Sequence, residues 1–270
     1  MTHVRAPAVA GMFYPDRARD LEAILSDVLQ EAASHTEPGP VPKAIIAPHA
    51  GYVYSGPIAA SAYARVRPAA EPIRRVVLVG PSHRVPLRGL AAPTVDTFET
   101  PLGRVELDRA AISEVLGLPQ VSEWDAPHAH EHSLEVHLPF LQAILPRFSL
   151  VPLVAGDASP EEVAEVLERL WGGPETLIVV SSDLSHYLDY ATARKIDAIT
   201  CEAIEALDAK AIGYDQACGR VPVSGLLALA RRKHLTATTL DVRNSGDTAG
   251  YRRQVVGYGA WMFTEPSGGG

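Results

Sequence analysis

Apolar residues along this chain follow two spacings, and three of the most continuous apolar runs stop at a histidine. Lys43-Ala-Ile-Ile-Ala-Pro-His49 halts at a histidine flanked by proline and, two residues on, glycine. Arg75-Val-Val-Leu-Val-Gly-Pro-Ser-His83 repeats the arrangement, and Thr176-Leu-Ile-Val-Val-Ser-Ser-Asp-Leu-Ser-His186 gives it a third time. Val- and Ile-rich runs without polar alternation suit strands buried on both faces of a parallel sheet, and open α/β folds place ligands at the carboxyl ends of such strands. The three histidines are therefore expected to converge on one rim.

Between these runs the spacing is helical. Leu21, Ile24, Leu25, Val28, Leu29 and Ala32 mark one helix, and Pro57 is placed to open another that reaches about Val66. Thr94-Val-Asp-Thr-Phe-Glu-Thr100 and Leu102-Gly-Arg-Val-Glu-Leu107 predict two strands about a Pro-Leu-Gly turn, read as an antiparallel edge. Asp108 reads as the N-cap of a short helix closed by Gly117, Leu150 to Gly156 as a strand, and Ser159-Pro160-Glu161-Glu162 as a helix start. Helices follow from about Tyr190 to Leu207 and from Val223 to His234, then strands over 237–244 and 254–263. Ser34 to Pro42, with three prolines, is a connection too short for a domain linker. The alternation predicts a single α/β domain over 1–270 with a mostly parallel central sheet flanked by helices, a core over about 7–263 and a disordered tail over 264–270.

Composition narrows the classes. A net charge of −8, with no basic run denser than Arg231-Arg232-Lys233, argues against a nucleic-acid surface. Two cysteines, Cys201 and Cys218, are too few for a disulfide framework and fit a reducing compartment. No stretch is apolar over the roughly 18 residues a membrane helix needs, and the N-terminus lacks a signal peptide's apolar centre, so the expected location is cytoplasmic.

The candidate chemistry centres on His49, His83 and His186, since imidazoles from separate strands can form a metal site or an acid/base set. Cys218, in a loop before a helix, is expected to have its thiol pKa lowered by the helix dipole and to serve as ligand or nucleophile. Asp183 lies three residues before His186 and is placed either to reach that ring or another ligand and set its tautomer, or to cap a short turn after Ser181-Ser182. The histidine-rich stretch 128–137 invites a metalloprotease reading that its spacing refuses: His130-Glu131 lacks a histidine three residues on, and His132 to His137 is one residue too long for the inverted motif. On a helix, His132 and Glu135 would share a face and line the pocket with Tyr54, His137 would be rotated away, and His128 and His130 would face solvent. No glycine-rich phosphate loop or Gly-x-Ser-x-Gly elbow is present.

Pro48-His49-Ala-Gly-Tyr-Val-Tyr-Ser-Gly56, Gly80-Pro-Ser-His83, Glu131-His-Ser-Leu-Glu-Val-His-Leu-Pro139, Ser181-Ser-Asp-Leu-Ser-His186, Cys218-Gly-Arg and Asn244-Ser-Gly-Asp247 together resemble the MEMO family, called in prokaryotes AmmeMemoRadiSam system protein B. The resemblance implies a fold similar to the LigB-type class III extradiol dioxygenases, which use non-haem iron. It implies site residues at His49, His83, His186 and Cys218, with Asp183 adjacent, and a place beside radical-SAM and AMMECR-type proteins. Dioxygenase iron is held by two histidines and a carboxylate, whereas cysteine stands at the fourth site position here, so catechol cleavage does not follow.

Three readings result. The first is an Fe(II) protein, with Cu or Zn as other candidates, in which His49, His83, Cys218 and His186 serve the metal and His186, Asp183 and Cys218 the chemistry of an oxidoreductase. The second is a non-catalytic protein that binds a peptide or small molecule in the same pocket, with Tyr52, Tyr54 and Trp124 as walls. The third is a zinc hydrolase on the same ligands.

Overall fold

The Val- and Ile-rich runs become the middle of one large sheet. The computed structural model describes residues 3–36 and 39–266. In chain order the elements are β1 (Val4–Arg5), α1 (Ala18–Ser34), β2 (Ala44–Ala47), α2 (Tyr52–Val66), β3 (Arg75–Pro81), β4 (Leu90–Ala92), β5 (Thr97–Thr100) and β6 (Gly103–Glu106). Next come α3 (Arg109–Val115), β7 (Val121–Glu123), α4 (Ala126–Ala129), α5 (Leu138–Ile144), β8 (Ser149–Ala155), α6 (Pro160–Arg169), β9 (Thr176–Ser181) and β10 (His186–Leu188). The chain closes with α7 (Tyr190–Glu205), α8 (Arg220–Arg232), β11 (Thr236–Asn244), α9 (Ser245–Thr248) and β12 (Val255–Thr264).

The nine-stranded sheet runs β10-β12-β2-β9-β3-β8-β4-β7, with β11 on β12. Its four central strands, β2, β9, β3 and β8, are parallel, and every residue from Ala44 to Ala47, Val76 to Pro81 and Thr176 to Ser181 is buried. Antiparallel pairs extend it through β12 on one side and β4 on the other. The expected hairpin over 94–107 forms as β5 and β6, but it joins β1 in a separate three-stranded sheet instead of edging the main one.

Helices flank the sheet. The stripe Leu21, Leu25 and Leu29 seats α1 against α2, which packs on β2 and β12. On β3 and β9 lies α8, backed by α6; a Cβ on Gly225 would meet Val163 Cγ1 at 2.2 Å, so only glycine allows that approach. The helix start expected at Ser159-Pro160-Glu161-Glu162 is that of α6, where Ser159 and Glu162 form a capping box. The helix after His49 begins at Tyr52, not at Pro57: Gly51 is its N-cap, and the amide that proline lacks would have bonded Val53, an exposed residue of the first turn. The tail expected over 264–270 falls largely outside the described residues, while Thr264 ends β12 and Glu265 accepts a hydrogen bond from Trp171 Nε1. Among the described residues no helix is long and apolar enough to cross a membrane.

Candidate metal centre

Because β2, β9 and β3 are parallel neighbours, their carboxyl ends reach one rim. His49 follows Ala47 of β2, His83 follows Pro81 of β3, and Asp183 follows Ser181 of β9, each two residues past its strand. The turn between α4 and α5 adds His132 from another direction. One ligating atom from each of His49, His83 and His132 lies within 4.8 Å of the others. The His83 and His132 rings stack at 4.6 Å, and His49 meets them edge-on at 5.2 and 5.3 Å.

Glu131, which is buried, builds this arrangement. Its Oε2 accepts from the His83 amide at 2.6 Å, and its Oε1 accepts from the His132 and Ser133 amides, each at 2.9 Å. Oε1 also lies 2.8 Å from His83 Nδ1, so that nitrogen carries a hydrogen to the carboxylate and Nε2 keeps its lone pair. Burial opposes the charge on Glu131, yet the bonds from His83 and Ser133 hold its pKa down to about 2. A carboxylate behind a histidine is the support that metal-ligating imidazoles usually have. Burial, then the neighbouring rings, pushes His49 well below the ordinary histidine value and His132 down to about 4. Three imidazoles, one braced by a carboxylate, fit a divalent transition metal.

The other expected residues are distributed differently. Cys218 Sγ lies 3.4 Å from His49 Nε2, beside the three rings. Burial and then the Asp183 carboxyl push its thiol pKa up, reversing the dipole expectation. Gly219 holds that loop in place, since a Cβ there would meet the Ser181 carbonyl at 2.4 Å. His186 stands apart from the three-histidine group, its Nδ1 2.8 Å from the Leu184 carbonyl. Asp183 does not orient the His186 ring: its Oδ1 accepts from the His49 amide at 2.7 Å, and burial raises it to about 7.

Glu135 does not line the pocket. It is wholly buried and binds Arg5 Nη1, the amides of Ala8 and Val9 and the Tyr14 hydroxyl. His128 is also buried, with Nε2 on the Ala91 carbonyl, whereas His130 is exposed as expected. Tyr54 and Trp124 are exposed and Tyr52 is core. The sequence reading missed His132 and Glu131 as a unit because it laid 128–137 on a helix, where α4 is four residues long and a turn follows. The His-Glu-His triplet 130–132 was the available signal. A groove of about 450 Å³ leads to the cluster past His83, Arg84, Leu87, Gly156, Cys218 and Val221.

The profile of Memo-like proteins matches residues 5–262. The chain belongs to the Memo family. A MEMO1 family protein of Aquifex aeolicus is 39% identical over 96% of this chain and 99% of its own. Counterparts from Thermotoga maritima (36% identical; 94% of this chain, 97% of theirs) and Archaeoglobus fulgidus (34%; 96% and 99%) are similar over the same extent. The structure of an uncharacterized Escherichia coli K12 protein, JW3007, aligns over 79% of this chain and 98% of its own with a TM-score of 0.47 at 12% identity. The α/β sheet flanked by helices is the LigB-like class that the family resemblance implied.

The buried imidazoles set a pH dependence. Burial lowers His128 to about 4, His132 to about 4 and His137 to about 3. The unfolded chain takes up these protons near 6.5 and the folded chain only below 4, so their contribution is complete above 6.5 and is lost as pH falls. Asp183, raised to about 7, opposes the trend as one group against these three and the likewise lowered His49 and His186. Metal-free protein is therefore expected to lose at least about 2 kcal/mol of stability between pH 6 and pH 5. Urea unfolding at the two pH values in chelator checks this; an unchanged midpoint would contradict it.

Proposed function

We propose that this Memo-family protein is a non-haem Fe(II) protein that carries out an oxygen-dependent oxidation of a small organic molecule admitted by the groove at His83. The observation that carries the reading is the convergence of His49, His83 and His132 at the carboxyl ends of parallel strands, ligating atoms within 4.8 Å. These imidazoles would hold the ion, with Cys218 as the adjacent soft donor, and a thiolate favours Fe(II), Cu(I) or Zn(II) over hard cations. Bound there, Fe(II) would supply open coordination positions and one-electron chemistry toward oxygen. Glu131 holds His83 in register, and Asp183 holds the His49 backbone. His186, bonded through Nδ1 to Leu184, has Nε2 left to take or give a proton. Work alongside radical-SAM and AMMECR-type proteins rests on the family resemblance alone.

A second reading has its own support. Three histidine ligands without a carboxylate ligand are also a catalytic zinc donor set. Oxygen-electrode assays of Fe(II)-loaded protein with a panel of phenolic and thiol compounds, beside ester hydrolysis by Zn(II)-loaded protein, separate the two. The iron reading expects oxygen uptake that His186→Ala removes while iron stays bound. Hydrolysis by the zinc form, with no oxygen uptake by the iron form, would overturn it.

A further inference from the structure

Behind His49 the hydrogen bonds run deeper than a ligand cluster requires, and their directions can be fixed atom by atom. Ser181 ends β9 in register with Ala47 of β2, which places its hydroxyl under the His49 ring. Three groups surround that hydroxyl: His49 Nδ1 at 2.6 Å, His137 Nε2 at 2.9 Å and the Ser133 carbonyl at 2.6 Å. A hydroxyl has one hydrogen to give and two lone pairs. A carbonyl can only accept, so the Ser181 hydrogen goes to Ser133, and both imidazole nitrogens must donate.

The far end of the chain agrees. With its hydrogen on Nε2, His137 has a bare Nδ1, and the Tyr63 hydroxyl lies 2.8 Å from it. Tyr63 is itself fixed, fully buried and stacked on Phe140 at 4.9 Å with 7° between the rings. At the near end, a hydrogen on His49 Nδ1 leaves Nε2 bare toward Cys218 and the other two rings. With the Ser181 hydrogen on Ser133, the opposite His49 tautomer would set two lone pairs 2.6 Å apart between two buried side chains. Ser133 extends the same network to the other two histidines: its amide donates to Glu131, and its hydroxyl donates to Pro81 at 2.8 Å, two residues before His83.

We propose that Ser181, His137 and Tyr63 are positioning residues, a buried hydrogen-bond chain that holds His49 in the Nδ1–H tautomer and keeps Nε2 a standing electron-pair donor. The chain depends on the metal reading only for what Nε2 then binds.

The test is long-range proton–nitrogen correlation on metal-free, nitrogen-15-labelled full-length protein. The expected wild-type result is hydrogen on Nδ1 in His49 and on Nε2 in His137. Ser181→Ala should give His49 a mixed tautomer and weaken Zn(II) binding, with zinc as the diamagnetic probe, by about 10–100-fold. Tyr63→Phe retains the stacked ring and should cost His137 its single tautomer, so the chain stays testable if Ser181→Ala does not fold. Hydrogen on His49 Nε2 in wild type, or an unchanged His137 tautomer in Tyr63→Phe, would overturn the proposal. A wild-type protein with the expected tautomers that takes up no metal would support the chain and sink the metal reading instead.

Discussion

Replacing Glu135 by alanine is expected to lower the unfolding free energy by about 3–5 kcal/mol, because it leaves the Arg5 guanidinium buried without its counter-charge. Arg5 and Glu135 pair at 2.7 Å with side chains 7% and 0% exposed. The rest of the guanidinium is committed to the carbonyls of His128 and Glu131, so it cannot turn to water. The amides of Ala8 and Val9 and the Tyr14 hydroxyl lose their acceptor at the same time. Glu135 thus ties the N-terminal segment to the turn that carries His132. Urea unfolding of chelated protein measures the cost. A loss below about 1 kcal/mol would show that the segment relaxes enough to hydrate Arg5. An apolar replacement of both partners should cost less than either single change, since no charge is then stranded.

Glu131→Gln is expected to leave the sheet folded and to weaken metal binding by about 10–100-fold, the usual cost of removing the carboxylate behind a ligating histidine. Four donors converge on this carboxylate, three of them on Oε1. A glutamine oxygen at the Oε1 position still accepts from His83 Nδ1 and the 132–133 amides, but its NH₂ then faces the His83 backbone amide, a donor against a donor, so His83 cannot keep both its ring and its backbone contact. Competition against a chelator of known affinity, on protein shown by circular dichroism to be folded, gives the change. Wild-type affinity in this variant would mean that Glu131 only shapes the loop.

The sheet was legible because its central strands are largely apolar and two of them, β2 and β3, run into rim histidines, and both signals are local. His49 and His83 followed from that pattern, and the start of α6 followed from the Ser-Pro-Glu-Glu run. The His132 and Glu131 pair was not legible, because helical periodicity has no meaning in a turn and nothing local fixes where Glu131 points. The same blindness moved Glu135 into the pocket: helical spacing gives it the face of His132, and only the fold shows that Arg5, 130 positions away, neutralises it. Asp183 was placed near the right ring cluster for the wrong contact, since a backbone amide as hydrogen-bond partner leaves no trace in side-chain spacing. The chain from Tyr63 to His49 joins residues from α2, the turn before α5 and β9, which no sequence window contains.

The most direct test of the metal centre is Fe(II) stoichiometry measured under nitrogen on wild type, His49→Ala, His132→Ala and Cys218→Ser. One ion per wild-type chain, lost in both histidine variants and retained with weaker affinity in Cys218→Ser, is what three convergent imidazoles with a thiol beside them predict. Wild-type iron binding by His132→Ala would show that the ion sits elsewhere, and a wild-type chain that takes up no iron would contradict the centre altogether.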